Sequence, residues 1–140
     1  MVKPYRRIDT TADVGLASFG SSRIEVVVNM AKGLFSLISP LRNIRREVCR
    51  KLEVRADSQE DLLVAWLNEL IFIHETENLL FRVFHIDDLT EIRLKASCFG
   101  EHADPLRHML KMDIKGATYH RLSIQRDERG FWRARVILDV

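Results

Sequence analysis

The sequence predicts a small α+β fold: a single two-layer domain in which two α-helices pack on one face of a largely antiparallel or mixed β-sheet. Three observations predict it. The chain has 140 residues, the size of one domain, so residues 1–140 are expected to form a single domain. Two segments have helical periodicity, and most other apolar segments alternate as strands do. Hydrophobic residues make up 46% and charged residues 30%, which is typical of a chain that folds around its own core.

The first helix is predicted from its start signal and its apolar stripe. It begins at Ser22, with Glu25 three residues later as a capping box, and Ser39-Pro40 ends it. The apolar positions follow helical spacing and are Ile24, Val27, Val28, Ala31, Leu34, Phe35 and Ile38.

The second helix is predicted in the same way. Ser58 is the N-cap, Asp61 occupies the third helical position, and Asn78 is the expected end. Its apolar stripe consists of Leu62, Leu63, Trp66, Leu67, Leu70 and Ile73.

The remaining segments are predicted to be strands. Residues 48–55 and 91–98 alternate apolar and polar side chains, so each has one face toward water. Near the C-terminus, residues 122–124 and 132–138 flank the turn sequence 127–130 and predict a hairpin.

Composition excludes several classes of protein. The net charge is +2 and the pI is near 8.7, which is too balanced for charge alone to predict nucleic-acid binding. Cys49 and Cys98 fit neither a zinc motif nor a disulfide framework, and the longest uncharged apolar run, residues 62–67, is too short for a membrane span. With no signal-peptide pattern, a cytoplasmic protein with no membrane partner is expected.

Carboxylates flank the predicted N-terminal turn and follow the last strand. Asp9 and Asp13 enclose Thr10-Thr11-Ala12, and Asp139-Val140 comes directly after the final strand. If that strand lies beside the N-terminal segment, these side chains and the Val140 carboxylate can gather the hard oxygens that calcium or magnesium prefers. The alternative is that Asp9 and Asp13 are turn formers and that Asp139 is solvated.

No catalytic residues are predicted. The five histidines form no HxxxH or HExxH pair, and the chain has no GxSxG, P-loop or GxGxxG motif. His120 lies four residues before Ile124, which predicts a core histidine on a strand. Residues 100–108 are polar and irregular, which is typical of a functional loop and equally of an ordinary surface loop.

Arginines cluster at two places. The non-core face of the last strand is predicted to carry Arg133, Arg135, Ile137 and Asp139, and a second cluster contains Arg42, Arg45 and Arg46. Such patches can contact RNA phosphates or an acidic protein. No RNP-type aromatic pair interleaves them, and charged faces are usually only solvated.

Four motifs in order resemble the archease family over nearly the whole chain, from about Tyr5 to the end. The N-terminal segment 9–15 reads DTTADVG and the central helix 62–70 reads LLVAWLNEL. The late segment 114–120 reads IKGATYH, and the chain ends with VILDV at 136–140.

The resemblance implies a protein that assists an enzyme and is not one. Archeases are small α+β cofactors of a manganese-dependent tRNA-splicing RNA ligase, which joins 3′-phosphate or 2′,3′-cyclic phosphate ends to 5′-hydroxyl ends and stores GMP on a histidine. This chain is therefore expected to promote guanylylation of that GTP-dependent ligase and its multiple turnover. Some members of the family also allow nucleotides other than GTP to be used. The protein itself would bind RNA only indirectly or weakly. The sequence does not indicate an oligomeric state.

The resemblance also implies the site residues. In the family a divalent cation, usually calcium, lies with the N-terminal aspartate and the terminal Asp-hydrophobic pair, which correspond here to Asp13, Asp139 and Val140. Further residues are expected to contact the ligase or to support the metal ligands: Asp9, Thr10, Arg107, His108, Lys115 and His120.

Two positions depart from the family pattern. Thr10 stands where the family usually has histidine, and Gly116-Ala117 stands where it usually has Ala-Val. A hydroxyl can form hydrogen bonds but cannot act as an imidazole base, so Thr10 is expected to weaken any such role. Two other functions stay open: a metal-dependent phosphodiesterase or nuclease that uses the same carboxylates, and an RNA-binding, chaperone-like module.

Overall fold

The computed structural model describes residues 3–140, which form two α-helices and eight strands. The helices are α1 (Arg23–Ile38) and α2 (Gln59–Glu77), and one turn of 3-10 helix covers Leu41–Asn43. The strands are β1 (Tyr5–Arg7), β2 (Val14–Gly20), β3 (Val48–Arg55), β4 (Leu79–Leu89), β5 (Arg93–His102), β6 (Gly116–Ala117), β7 (Ser123–Arg126) and β8 (Trp132–Asp139).

Both helices begin and end where the sequence predicts. The side chain of Ser22 accepts a hydrogen bond from the backbone N–H of Glu25, and Ser58 accepts one from Asp61. Asn78 ends α2 in the left-handed conformation, with φ 56°. One predicted core position is wrong, because the side chain of Ile24 in the first turn of α1 is 48% exposed.

The strands form two antiparallel sheets. One has the order β1-β2-β8-β6, with β7 also paired to β8, and the other has the order β3-β5-β4. The predicted α+β class with two helices and antiparallel pairing is therefore confirmed. The strands nevertheless divide between two sheets, and both helices contact strands of both. No helix in residues 3–140 has the length and apolar character to cross a membrane.

The core between helices and sheets is built around large aromatic side chains. Trp66 on α2 is fully buried, and its indole N–H donates a hydrogen bond to the carbonyl of Val27 on α1 at 3.2 Å, which joins the two helices. Phe35 lies 5.6 Å from Phe81 and 5.9 Å from Phe84 between ring centroids. These edge and tilted contacts connect α1 with β4, so the helix layer is tied to the smaller sheet.

The backbones of β4 and β5 approach closely at Gly100. A Cβ atom there would lie 1.8 Å from the carbonyl oxygen of Leu80 and 2.8 Å from the Cα of Phe81. Both obstacles are backbone atoms next to an irregularity in the β4–β5 register. Glycine is therefore required at this position, because a Cβ atom would meet the β4 backbone, which cannot move aside as a flexible side chain can.

We expect Gly100→Ala to lower the free energy of unfolding by at least about 2 kcal/mol, since the added methyl group must displace the β4 backbone. Gly116→Ala is the matched control, because a Cβ there meets only the Asn68 side chain at 3.4 Å. Its effect should stay within about 1 kcal/mol. Urea unfolding followed by circular dichroism measures both, and equal midpoints for the two variants would contradict the close approach.

Candidate functional site

The antiparallel pairing of β2 with β8 brings the backbone positions of two aspartates next to each other. Val14 lies opposite Leu138 and Gly15 opposite Ile137. The same register, continued by one residue, puts Asp13 opposite Asp139 on one face of the sheet. The expectation that the last strand lies beside the N-terminal segment is thus confirmed. We call Asp13 and Asp139 the paired carboxylates.

Asp9 has a different role from the paired carboxylates. Its Oδ2 accepts a hydrogen bond from Nε of Arg7 at 2.7 Å, and its Oδ1 accepts one from the backbone N–H of Gly15 at 3.2 Å. The hydrogen bond from Arg7 lowers the pKa of Asp9 below its ordinary value, against a smaller opposing effect of burial. Asp9 therefore closes the turn between β1 and β2. Within residues 3–140, no three His, Cys, Asp or Glu side chains lie close enough together to hold a metal ion.

Thr10 holds Asp13 in place. Its backbone N–H donates to the Asp13 carbonyl at 3.1 Å, and its hydroxyl donates to Oδ2 of Asp13 at 3.4 Å. Thr10, at the position where the resemblance implies a histidine, thus contacts one of the paired carboxylates directly. Its hydroxyl supplies one hydrogen bond to that carboxylate and offers no second ionisable group.

The other side of Asp139 is bordered by β6. The backbone N–H of Lys115 donates to the Asp139 carbonyl at 2.8 Å, and Gly116 pairs with Asp139 in the sheet. Asn68 on α2 anchors this short strand, because its Oδ1 accepts the Ala117 N–H at 2.8 Å. Asn68 is a site residue that was not predicted from the sequence. Its signal in the sequence is that it is the single amide side chain of the helix motif LLVAWLNEL.

The paired carboxylates suit a divalent cation that prefers oxygen ligands. Asp13 is half-buried, Asp139 is exposed, and neither forms an ion pair within residues 3–140. Two like charges directly opposite each other repel, so a bound cation would stabilise the arrangement. Two carboxylates and an oxygen of the adjacent Val140 form a partial ligand set for calcium or magnesium. They do not suit a metal that prefers thiolate or imidazole ligands, because all the ligand atoms are oxygens.

Arg107 and His108 lie elsewhere, around the buried carboxylate of Glu101. The Arg107 guanidinium pairs with one oxygen of Glu101, and Nε2 of His108 lies 3.1 Å from the other. The backbone N–H of Arg45 also donates to Glu101, at 2.6 Å. This cluster joins the segment after α1 to the segment after β5. A role for Arg107 and His108 in ligase contact stays a prediction.

The hydrogen-bonding roles of the two ring nitrogens of His108 follow from its partners. Nδ1 accepts the backbone N–H of Asp104 at 2.8 Å, so the ring hydrogen is on Nε2, which faces Glu101 and the carbonyl of Asn43. His108 is only 3% exposed. Glu101 and His108 therefore anchor the segment 100–108 internally, whereas His102, Asp104, Pro105 and Leu106 are exposed as expected of a surface loop.

The prediction for His120 as a core strand residue is wrong. His120 is exposed and lies in a turn, and Arg121 beside it has φ 52°. This left-handed residue interrupts the alternation that the sequence indicated, and β7 begins only at Ser123. Ile137 lies on the non-core face as predicted, opposite Gly15 and on the same face as Arg133 and Arg135. It is nevertheless only 3% exposed, because Ile8 lies beside it next to Gly15.

Comparison with known proteins identifies close relatives of the chain. Residues 5–140 match the Archease protein family (MTH1598/TM1083). Protein archease of Pyrococcus abyssi is 34% identical and covers 99% of this chain and 100% of its own length. Protein archease of Methanosarcina barkeri is 32% identical, with 99% and 97% covered.

Two solved structures share the fold. The solution structure of protein 1598 of Methanobacterium thermoautotrophicum superposes with a TM-score of 0.83 at 33% identity, covering 99% of this chain and all of its own. The crystal structure of an archease from Thermotoga maritima, described as a possible chaperone, has a TM-score of 0.65 at 20% identity and covers 100% and 98%. At that identity the second likeness shows the fold alone.

The buried Glu101 cluster generates a pH-dependent prediction. Burial alone would raise the pKa of Glu101, but hydrogen bonds from Arg45, Arg107 and His108 together hold it below its ordinary value of 4.5. The ionised form is therefore favoured in the folded state. Its contribution to stability is complete above about pH 4.5 and is lost as the pH falls through the lowered folded pKa.

We expect Glu101→Gln to lower the free energy of unfolding by about 2 kcal/mol at pH 7 and by less at acid pH, because the variant has no charge to lose. Glu47→Gln removes an exposed carboxylate and should change stability by less than about 0.5 kcal/mol. Urea unfolding between pH 7 and pH 3 measures both. A difference between wild type and Glu101→Gln that does not vary with pH would contradict the assignment.

Proposed function

This chain belongs to the archease family, and on that premise we propose that it is a non-catalytic protein activator of a GTP- and manganese-dependent tRNA-splicing RNA ligase. The observation that carries the proposal is the pair of carboxylates, Asp13 and Asp139, that the β2–β8 register brings together. We infer that this end of the sheet binds a divalent cation, with calcium as the first candidate, and that it inserts into or beside the metal and nucleotide site of the ligase. There it promotes guanylylation of the ligase histidine and multiple turnover.

The ligand set in this proposal is Asp13, Asp139 and an oxygen of Val140. When bound, a divalent cation neutralises the facing carboxylates and offers further coordination positions to groups of a partner. The chain's own residues hold the ligands in place. Thr10 donates to Asp13, the backbone of Lys115 donates to Asp139, and Asn68 fixes the neighbouring strand to α2.

Such a site can act on a partner without chemistry of its own. An activator shifts an enzyme toward its competent state only if it binds that state more tightly than the resting one. Strand pairing fixes the backbone that carries the paired carboxylates, and Thr10 donates to the Asp13 side chain, so mainly the Asp139 side chain has to be ordered when they meet a partner. A rigid, charged end is therefore suited to stabilise one arrangement of the ligase around its nucleotide.

The paired carboxylates also fit one different function. Aspartates with a divalent cation can activate water for hydrolysis of a phosphodiester, so a metal-dependent phosphodiesterase uses the same side chains. The two functions differ in what the isolated protein does. A phosphodiesterase turns over a substrate by itself, whereas an activator changes only the ligase.

We expect Asp13→Asn and Asp139→Asn each to reduce ligase activation by about tenfold or more, because each removes one of two cation-binding carboxylates. The measurement is multiple-turnover joining of RNA by limiting cognate ligase with GTP and manganese, together with GMP loading of the ligase. Glu128→Gln is the matched control, since it removes an exposed carboxylate at the far end of the β7–β8 hairpin. Activation that survives in both aspartate variants would refute the proposal.

A second readout is independent of the ligase. Calcium added to the wild-type protein should raise its melting temperature and give a saturable calorimetric signal, and both should be lost in Asp13→Asn. The protein alone is also incubated with a chromogenic phosphodiester and magnesium, manganese or calcium. Turnover that disappears in Asp13→Asn would favour the phosphodiesterase.

A further inference from the structure

The outer face of the five-stranded sheet, away from the helices, combines arginines with an aromatic ring. Registers across β1, β2, β8 and β7 place Arg6, Ala17, Arg135 and Ser123 in one row and Phe19, Arg133 and Gln125 in the next. Residues directly opposite each other in a sheet share a face. Phe19 lies beside the arginines of β8 in the sheet but belongs to β2. For this reason no aromatic residue interleaves those arginines in the sequence.

The arginines of this face have no carboxylate partners. Within residues 3–140, none of their side chains forms a hydrogen bond or salt bridge, and Nε of Arg135 is buried without a partner. This holds for Arg6, Arg133 and Arg135 on the sheet face, and also for Arg126 and Arg129 at the β7–β8 turn. Of the other arginines, six pair with acidic side chains, namely Arg7, Arg45, Arg50, Arg55, Arg93 and Arg107, and the rest are scattered over other parts of the fold. The sheet face is therefore locally cationic although the whole chain is nearly neutral.

An open groove of about 670 Å³ runs along this face at the β7–β8 turn. Its walls include Phe19, Arg126, Arg129, Phe131, Trp132 and Arg133. Phe131 is 45% exposed, and the guanidinium of Arg6 lies 5.8 Å from the centre of the Phe19 ring. Of the nearby carboxylates, none pairs with an arginine of this face: Asp127 accepts backbone N–H groups of its own turn, Glu25 accepts from Ser21, and Glu128 is exposed in the turn.

We propose that this face, centred on Arg133, Arg135 and Phe19, is a binding surface for single-stranded RNA. Unpaired guanidinium groups match the phosphates, and accessible aromatic rings match the faces of unstacked bases. An acidic peptide would satisfy the arginines but would leave the aromatic groove unused. The proposal does not rest on the function proposed above, because it concerns the protein alone.

The test is fluorescence anisotropy of a labelled 12-nucleotide single-stranded RNA titrated with the isolated protein. We expect saturable binding whose logarithmic salt slope is about −3, as for four neutralised phosphates on a single strand. Arg133→Glu should weaken binding by about tenfold and make the salt slope smaller. Phe19→Leu, which keeps an apolar side chain but removes the ring, should weaken binding by about fivefold.

Arg46→Glu is the matched control because Arg46 is exposed, lies in the other arginine cluster, and forms no salt bridge within residues 3–140. It should leave RNA binding within about twofold of wild type. Equal weakening by Arg46→Glu and Arg133→Glu, or no saturable binding at 50 mM salt, would overturn the proposal. Thermal melting confirms that each variant is folded.

Polyglutamate separates RNA from an acidic protein as the occupant. If a polyglutamate chain of equal charge competes as well as unlabelled RNA, the surface recognises acidic chains and the proposal fails. If single-stranded RNA competes well and polyglutamate and duplex RNA compete poorly, the proposal is supported. Loss of ligase activation in Asp13→Asn with unchanged RNA binding would show that the two proposals are separate.

Discussion

The pairing of β2 with β8 is the constraint on which the rest of the molecule depends. It joins the beginning of the described chain to its end through seven consecutive residue pairs, from Val14 with Leu138 to Gly20 with Trp132. The inner face of this pair supplies buried side chains such as Leu16 and Val136 to the core. A shift of one residue would exchange these faces, so the hydrophobic core itself determines the register. The positions of all charged groups on the outer face follow from that register.

Local signals predicted the parts of the fold that local interactions determine. Ser22 and Ser58 cap the helices as expected, because each side chain accepts a hydrogen bond from the first turn of its own helix. Asn78 ends α2 in the left-handed conformation, which its own short side chain tolerates. The division of strands into two sheets was not predictable in the same way. Strand β3 pairs with β5 and not with a strand of the larger sheet, and that choice depends on contacts distant in sequence. The register irregularities of β4 likewise follow from packing against β5.

The candidate site was predictable only in part, for similar reasons. Asp13 and Asp139 were identified on the condition that their strands pair, and the structure meets that condition. Asn68 was missed because its role depends on where β6 lies, and Phe19 was missed because its neighbours are on another strand. His120 was misplaced by a left-handed residue, Arg121, which no side-chain pattern indicates.

The outer face of one sheet thus carries charge of opposite sign at its two ends. Asp139 and Arg133 are six residues apart on β8, which is about 20 Å along an extended strand. Exposed charges are screened over about 8 Å at physiological ionic strength, so the two ends do not neutralise each other. Arginines next to the paired carboxylates would be stabilised by the attraction between opposite charges. The paired strands instead hold the arginines and the carboxylates at opposite ends of the sheet. That separation leaves each end able to attract a partner of its own, a cation at the paired carboxylates and a polyanion at the arginines.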